Sequence, residues 1–230
     1  MLTIIHGSDT TQSRKYFIDE KNKIKDAILL DADKVNLTDL TQILEGGGLF
    51  GETKYLFIEQ LLTKRKKSAE LENILKYLET NAAEHTIILW ESKELERSAF
   101  NTFKKAIIKP FKLPQTLFQL LDAIQPGNGK LLIKLFHLTV EITESEMVFF
   151  MLIRQIRILL ALSGTADTPI DEVKRIQPWQ KSKLESQARR FNTAHLLDLY
   201  DKLFAIEAGQ KTGTLTTSLL SAIDFFLLEV

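Results

Sequence analysis

The loop that follows the first apolar segment contains the residues whose types and spacing come nearest to phosphate chemistry. A phosphate-binding loop needs glycines whose N–H groups surround the phosphates, a lysine for the outer phosphates and a Ser or Thr for magnesium. Gly7 provides the first glycine, but Gln12 replaces the second, Ser13 the lysine and Arg14 the Ser or Thr. The sequence therefore indicates a degenerate phosphate loop, with these candidate residues: Gly7, Ser8, Asp9, Ser13 and Arg14.

A turn between a strand and a helix explains the same loop without a nucleotide. Ser8 and Asp9 are residue types that cap helices, and residues with helical spacing follow them. The alternative is a nucleotide-binding enzyme that holds its substrate with Asp9 and Glu91, the carboxylate after the apolar run Thr86–Trp90. Because a lone Glu at a strand end is more typical of a surface position, we favour the capping role and expect Glu91 at the surface.

No other pattern predicts catalysis or metal binding. The chain has no cysteine, and its four histidines show no metal-ligand spacing. They are His6, His85, His137 and His195. The Gly-x-Ser-x-Gly nucleophile motif is absent. We therefore expect no catalytic residue, no metal and no cofactor.

A second feature predicts contact with a partner. Leu49 and Phe50 stand between Gly48 and Gly51, just before the apolar strand candidate Lys54–Ile58. An apolar side chain left exposed at such a tip forgoes about 1.5–3 kcal/mol of burial. The pair is therefore typical of anchors that enter a pocket on another protein. The alternative is a purely structural turn.

The composition indicates an ordinary folded protein of the cytoplasm. Of the 230 residues, 44% are hydrophobic, and 30 Lys+Arg balance 30 Asp+Glu, so no overall charge favours nucleic acid or membrane. The absence of cysteine fits a reducing compartment. We identify no leader, and the apolar run Met147–Leu162 is too short to span a bilayer and contains Arg154 and Arg157.

Hydrophobic periodicity predicts two domains with different architecture. In residues 1–113 short apolar strands alternate with helices, which predicts an α/β domain with a parallel sheet. The predicted strands are Leu2–His6, Ala27–Leu30, Lys54–Ile58, Thr86–Trp90 and one within Ile107–Leu113, and the predicted helices are 12–25, Asp39–Leu44, Leu71–Leu78 and Ser98–Ala106.

Residues 114–230 are predicted to be entirely helical. The predicted helices are 115–124, 129–142, 146–163, 169–175, 180–191, 194–209 and 215–229. Trp179, at the start of one of them, is followed by Lys181 and Lys183. We favour a packing role for Trp179, and the alternative is stacking on a nucleic-acid base. The basic run 64–67 is interpreted as a solvated loop.

Several segments, in this order, resemble the delta subunit of the bacterial DNA polymerase III clamp loader. The opening Ile4–Asp9 resembles its strand-Gly-x-Asp start, and Gly48–Gly51 before a strand resembles its clamp-binding tip. Thr86–Ser98 resembles its next strand and helix. The remaining segments resemble collar helices: Phe149–Leu160, Trp179–Phe191 and Glu207–Gly213.

This resemblance implies an AAA+-like α/β domain at 1–113 that binds the sliding clamp, and a helical collar at 114–230 that binds the other loader subunits. It implies that Leu49 and Phe50 enter the clamp and open it without ATP hydrolysis, as a component of the polymerase holoenzyme. It also places Trp179, Lys181 and Lys183 near primer-template DNA. A free-standing interaction scaffold is the remaining alternative.

One departure from the family is large. Members usually carry a small helical lid between the α/β domain and the collar, and here Phe111–Pro114 leads almost directly into collar-like helices. We therefore expect this chain to lack the lid, unlike the usual three-domain members of the family. Two other subunits of the loader fit less well, because the chain has neither an intact phosphate loop nor cysteines for a zinc module.

Overall fold

The computed structural model describes residues 1–46, 53–164 and 170–230. It divides the chain into two compact units, Met1–Leu113 and Pro114–Val230. The division falls at the change of pattern seen in the sequence. The functional roles predicted for the two parts remain predictions. No helix among the described residues has the length and apolar character that a bilayer crossing requires.

The N-terminal unit is built on a five-stranded sheet in which every pair of neighbours is parallel. Its spatial order is β2-β3-β4-β1-β5. The strands are β1 (Leu2–Gly7), β2 (Ile28–Asp31), β3 (Tyr55–Glu59), β4 (Thr86–Trp90) and β5 (Ile107–Phe111). The helices are α1 (Thr10–Asn22), α2 (Leu37–Glu45), α3 (Leu61–Lys64) and α4 (Ala69–Asn81). The predicted fold class is confirmed.

Both faces of this sheet are covered, as parallel strands with continuous apolar runs require. Side chains alternate between the faces along each strand. Phe57 and Ile88 pack with Phe17 of α1 on one face. Leu56 and Ile87 lie in the larger apolar cluster that includes α2 and α4 side chains on the other. The apolar runs of β3 and β4, which the sequence predicted as strands, are interior strands of the sheet.

Strand β5 lies at one edge of the sheet and contains Pro110. Phe111 turns its carbonyl towards the β1 side, where it accepts a hydrogen bond of 3.0 Å from the Asp9 N–H. Because neighbouring residues of a strand alternate in direction, the Pro110 nitrogen faces away from β1. An edge is the position within a sheet where a residue without an N–H is tolerated.

The helix predicted at Ser98–Ala106 is wrong. The structure has only a short 3₁₀ turn, Arg97–Phe100, followed by irregular chain up to β5. The N–H groups of Lys104 and Lys105 donate instead to the Glu79 carboxylate of α4, at 2.9 and 3.1 Å. A side chain distant in sequence thus supplies the partners that a helix would have provided. Residue-type preferences alone do not show such a partner.

The C-terminal unit is helical throughout its described residues. Its helices are α5 (Gln115–Asp122), α6 (Gly129–Val140), α7 (Ser145–Leu162), α8 (Asp171–Lys174), α9 (Pro178–Ala188), α10 (Thr193–Thr212) and α11 (Leu219–Glu229). All seven predicted helices are present, with shifted ends. Helix α7 is central, since it packs against each of the other six.

A buried pair of glutamines joins three of these helices. Gln187 of α9 accepts a hydrogen bond of 2.8 Å from Gln155 of α7. Its own amide donates to the carbonyls of Leu121 and Ile124, both at 2.8 Å, at the end of α5. The last carbonyls of a helix lack partners within it, so a buried side-chain amide offsets the cost of removing them from water.

Candidate functional site

The carboxyl ends of the parallel strands meet at one edge of the N-terminal unit, where the predicted phosphate-loop residues lie. Gly7 has φ of 148°, and a Cβ there would lie 1.8 Å from the Phe111 carbonyl oxygen, so the close approach of β5 requires glycine. The Asp9 carboxylate accepts from the Gln12 N–H at 3.0 Å and caps α1. Ser8 accepts instead from the Leu113 N–H at 3.2 Å. Of the two predicted capping residues, Asp9 is therefore the one that caps α1.

The next two residues of the degenerate loop contact strand ends. Ser13 is fully buried, and its hydroxyl accepts a hydrogen bond of 3.2 Å from the indole N–H of Trp90. The guanidinium of Arg14 lies 3.0 Å from the carboxylate of Glu59 and 4.6 Å from the centroid of the Trp90 ring. The positions that would hold a nucleotide-binding lysine and a magnesium-binding hydroxyl are thus occupied by contacts within the protein.

Glu91 corrects a prediction, because its side chain is fully buried rather than at the surface. Its two carboxylate oxygens accept hydrogen bonds of 2.8 Å from the Leu62 N–H and 2.9 Å from the Thr63 N–H. These N–H groups belong to the first turn of α3 and would otherwise lack partners. Burial raises the pKa of Glu91, although the hydrogen bonds from Leu62 and Thr63 oppose that shift.

The basic run 64–67 also differs from its prediction as a solvated loop. Lys64 ends α3 and forms an ion pair with Asp31 at 2.9 Å. Arg65 donates hydrogen bonds to the carbonyls of Ala32 and Val35. Lys66 and Lys67 are exposed. The first two basic residues therefore bind α3 to the end of β2, and the last two face solvent.

His6 and His85 are buried at the ends of strands and serve as local hydrogen-bond acceptors. Nδ1 of His6 accepts from the Leu95 N–H at 3.1 Å, and Nδ1 of His85 accepts from the Lys54 N–H at 3.2 Å. Burial lowers the pKa of His6, an effect that the Glu94 carboxylate partly offsets. The neutral imidazole fits the acceptor role that the geometry assigns to it.

The predicted clamp-binding residues Gly48, Leu49, Phe50 and Gly51 fall in 47–52, outside the described residues. The elements on either side of them are described. Helix α2 ends at Glu45, with Gly46 as its C-cap, and β3 begins at Tyr55. Leu40 and Leu44 of α2 and Leu56 of β3 are buried in one cluster, which fixes both flanking elements to the sheet.

Trp179 does not take the buried packing role that the sequence favoured. It lies in the first turn of α9 with 69% of its surface exposed. With the half-exposed Phe118 of α5 and Met151 of α7, it lines a groove of about 340 Å³. An exposed indole beside a groove is available for stacking.

The two lysines predicted to accompany Trp179 have acidic neighbours within the same unit. Lys183 lies 2.6 Å from the Asp122 carboxylate, and Lys181 lies 3.9 Å from Glu185. Both ion pairs are substantially exposed, so water and salt screen them and each contributes little to stability. The groove therefore presents an aromatic surface whose nearby cations are already partly neutralised.

Comparison with known proteins identifies the helical unit. A family model described as DNA polymerase III delta subunit, C-terminal domain, matches residues 114–230, slightly more than half of the chain. A search of curated protein sequences gives no significant match. Among solved structures, the chain is similar to the Bacillus subtilis DNA clamp loader delta protein (YqeN), with 14% identity and a TM-score of 0.45. The alignment covers 99% of this chain and 94% of that one.

The match of residues 114–230 to this family model defines the class of the chain as a subunit of a DNA polymerase III assembly. The chain belongs to the DNA polymerase III delta subunit family, because the family model covers the whole of its helical unit. The resemblance seen in the sequence is therefore confirmed.

Two residues at the carboxyl edge of the sheet were not recognised from the sequence. Glu59 follows the apolar run of β3, and Trp90 ends β4. Because parallel strands end at the same edge, their positions placed both near the loop of Arg14. The predicted order of strands and helices indicates that Glu59 and Trp90 lie at the same edge as Arg14. It does not show which strands are neighbours, so the contacts could not be predicted.

The buried carboxylate of Glu91 predicts a measurable pH dependence. Its pKa in the folded protein lies above the ordinary value of 4.5, so between these two values the folded state retains a proton that the unfolded chain has released. The free energy of unfolding of the wild type should therefore fall, relative to that of Glu91→Gln, as the pH rises through this window.

Urea denaturation at a series of pH values measures the effect. The exposed Glu84→Gln is the matched control, because it removes a carboxylate that is not buried. An identical pH profile for wild type and Glu91→Gln would contradict the assignment.

Proposed function

We propose that this chain is the clamp-binding subunit of a clamp loader, and that it binds and opens the sliding clamp during DNA replication. The observation that carries this proposal is the match of residues 114–230 to the delta family. The Gly48–Gly51 motif supports it, because it lies in the connection between α2 and β3, two elements anchored in one apolar cluster.

Opening the clamp in this way requires that the chain bind the open clamp more tightly than the closed clamp, and it requires no chemical reaction. Leu49 and Phe50 would enter an apolar pocket of the clamp as anchors, where truncation to alanine typically costs about 2 kcal/mol or more. If the pocket is better formed in the clamp whose ring interface is open or strained, binding shifts the population towards that state. Hydrolysis of ATP would take place on partner subunits.

The helical unit would bind the other loader subunits. Leu197 and Phe204 lie two turns apart on α10 and are 50% and 63% exposed. Such a spacing places them on one stripe of the helix. Exposed apolar residues on one stripe are typical of helix surfaces that pack against a partner.

The short connection between the units agrees with a loader subunit that has no lid. Strand β5 ends at Phe111 and α5 begins at Gln115, so three residues separate this strand from the first helix of the helical unit. A lid helps nucleotide-using relatives to close over ATP, and a subunit that does not use ATP would not need one.

Two acidic residues were candidates for substrate binding in the alternative enzyme, and both are engaged in capping. Asp9 caps α1 and Glu91 caps α3. This geometry favours the non-enzymatic proposal over a degenerate nucleotide-binding enzyme. We also propose that primer-template DNA contacts the groove beside Trp179, since exposed aromatic rings stack on bases irrespective of sequence.

A pair of reciprocal variants separates the two protein-binding surfaces. Phe50→Asp should abolish binding to the cognate clamp in surface plasmon resonance, because a carboxylate cannot enter an apolar pocket without a partner. It should still co-purify with the other loader subunits. Phe204→Asp should show the opposite behaviour.

Phe50→Ala should weaken clamp binding by about 30-fold, the equivalent of about 2 kcal/mol. Unchanged clamp affinity of Phe50→Asp would remove Leu49 and Phe50 from the mechanism. If the wild-type chain binds the clamp but no loader subunit, the free-standing scaffold becomes the better assignment.

The chain should not bind ATP, because Ser13 and Arg14 occupy the key positions of the loop with internal contacts. Isothermal titration calorimetry with Mg²⁺-ATP is expected to give no heat of binding at submillimolar concentrations. A micromolar affinity would overturn the interpretation of Gly7–Arg14 as degenerate.

Contact between DNA and Trp179 is testable by fluorescence. The chain has two tryptophans, of which Trp90 is buried and Trp179 exposed, so a short primer-template should quench the emission of Trp179. Trp179→Ala should weaken DNA binding by about tenfold, within the range of base stacking. Trp179→Phe retains an aromatic ring and is the control. Equal affinity of Trp179→Ala and wild type would exclude the contact.

A further inference from the structure

We propose that four side chains at the carboxyl edge of the sheet form a built-in lock that holds the N-terminal unit in one conformation without a ligand. They are Ser13, Arg14, Glu59 and Trp90, here called the Arg14 cluster. They join the first turns of α1 to the ends of β3 and β4. The inference goes beyond clamp binding, because it concerns what fixes the geometry of this unit itself.

Three contacts within the Arg14 cluster join α1 to β3 and β4. Arg14 reaches Glu59 of β3 at 3.0 Å and lies over the ring of Trp90 of β4 at 4.6 Å. The indole N–H of Trp90 donates to Ser13 at 3.2 Å, on the same helix as Arg14. Two consecutive residues of α1 therefore contact one indole, and that ring can neither tilt nor withdraw without breaking a hydrogen bond or a stacking contact.

A second set of hydrogen bonds joins the same helix and strand ends beside the Arg14 cluster. Thr10 of α1 donates its hydroxyl hydrogen to the Ser92 carbonyl at 3.3 Å. The Ser92 hydroxyl donates to the side-chain oxygen of Gln60 at 3.1 Å, and the Gln60 N–H donates to the Trp90 carbonyl at 2.7 Å. Gln60 adopts a left-handed backbone, φ 59°, which is uncommon for a residue with a side chain and is sustained by these contacts.

The Arg14 cluster lies at the carboxyl edge of the sheet, near the end of β1. The chain passes from β1 to the far edge of the sheet and returns through β3 and β4, so the end of β1 lies where the strand order reverses. Open α/β sheets typically bind ligands at the carboxyl ends of the strands at such a point. A ligand there would connect the β1 loop with the ends of neighbouring strands, and in this chain the guanidinium of Arg14 and the indole of Trp90 make that connection.

Hydrogen exchange of the isolated, full-length chain tests the lock without the clamp or any other partner. The reporter amides are those of Gln60, Leu62 and Thr63, which donate to Trp90 and Glu91 at the carboxyl edge. The amide of Ile87, a fully buried residue of the central strand β4, donates to the Met1 carbonyl at 2.8 Å at the opposite end of the strands and reports global opening. Arg14→Ala should accelerate exchange of the three reporters by about tenfold or more and leave exchange of the Ile87 amide unchanged.

Lys15→Ala is the matched control, since it removes one positive charge from the adjacent, exposed position of the same helix. Arg14→Lys retains the charge and loses the planar stacking, so its effect should fall between those of wild type and Arg14→Ala. Adding Glu59→Gln to Arg14→Ala should change the exchange rates less than it does in the wild type, because the two residues act together.

Equal rates for Arg14→Ala and Lys15→Ala would overturn the proposal. Equal acceleration at the Ile87 amide and at the carboxyl edge would overturn it as well, because the cluster would then contribute only to global stability. Loss of clamp binding in Phe50→Asp has no bearing on either result, so this inference and the proposed function fail independently.

Discussion

A parallel sheet brings the carboxyl ends of all its strands to one edge, and the polar groups that gather there need partners. In proteins with an intact phosphate loop, nucleotide phosphates accept hydrogen bonds from N–H groups at this edge. In the present chain Glu91 supplies both oxygens to the first turn of α3, and Arg14 connects β3 with β4. Most of the features that distinguish the N-terminal unit follow from satisfying this edge with side chains alone.

The predictions that succeeded depend on short-range patterns in the sequence. The apolar runs of β3 and β4 identify buried strands because few other structures accommodate them, and the parallel sheet follows from their alternation with helices. Ser8 and Asp9 were predicted as candidate caps, and Asp9 is the cap, because capping depends on residues only three positions apart. These features are local, and a single sequence contains the information they need.

The failures are long-range. Nothing near Glu91 in the sequence shows that α3 starts beside it, since the donors are about thirty residues earlier and α3 is a single turn that sequence periodicity cannot detect. Glu79 likewise captures the N–H groups of Lys104 and Lys105 from α4 and prevents the helix predicted there. Trp179 was misjudged because its exposure depends on how α5, α7 and α9 pack, which residue types alone do not specify.

Strand β5 also has a consequence for the isolated chain. Its outer side lacks one N–H at Pro110, so a strand from a second molecule that docked there would leave an acceptor of its own unsatisfied. Exposed Ile107 makes that edge attractive to other apolar strands. The proline thus weakens edge-to-edge pairing between two copies of this chain, an effect of one missing hydrogen.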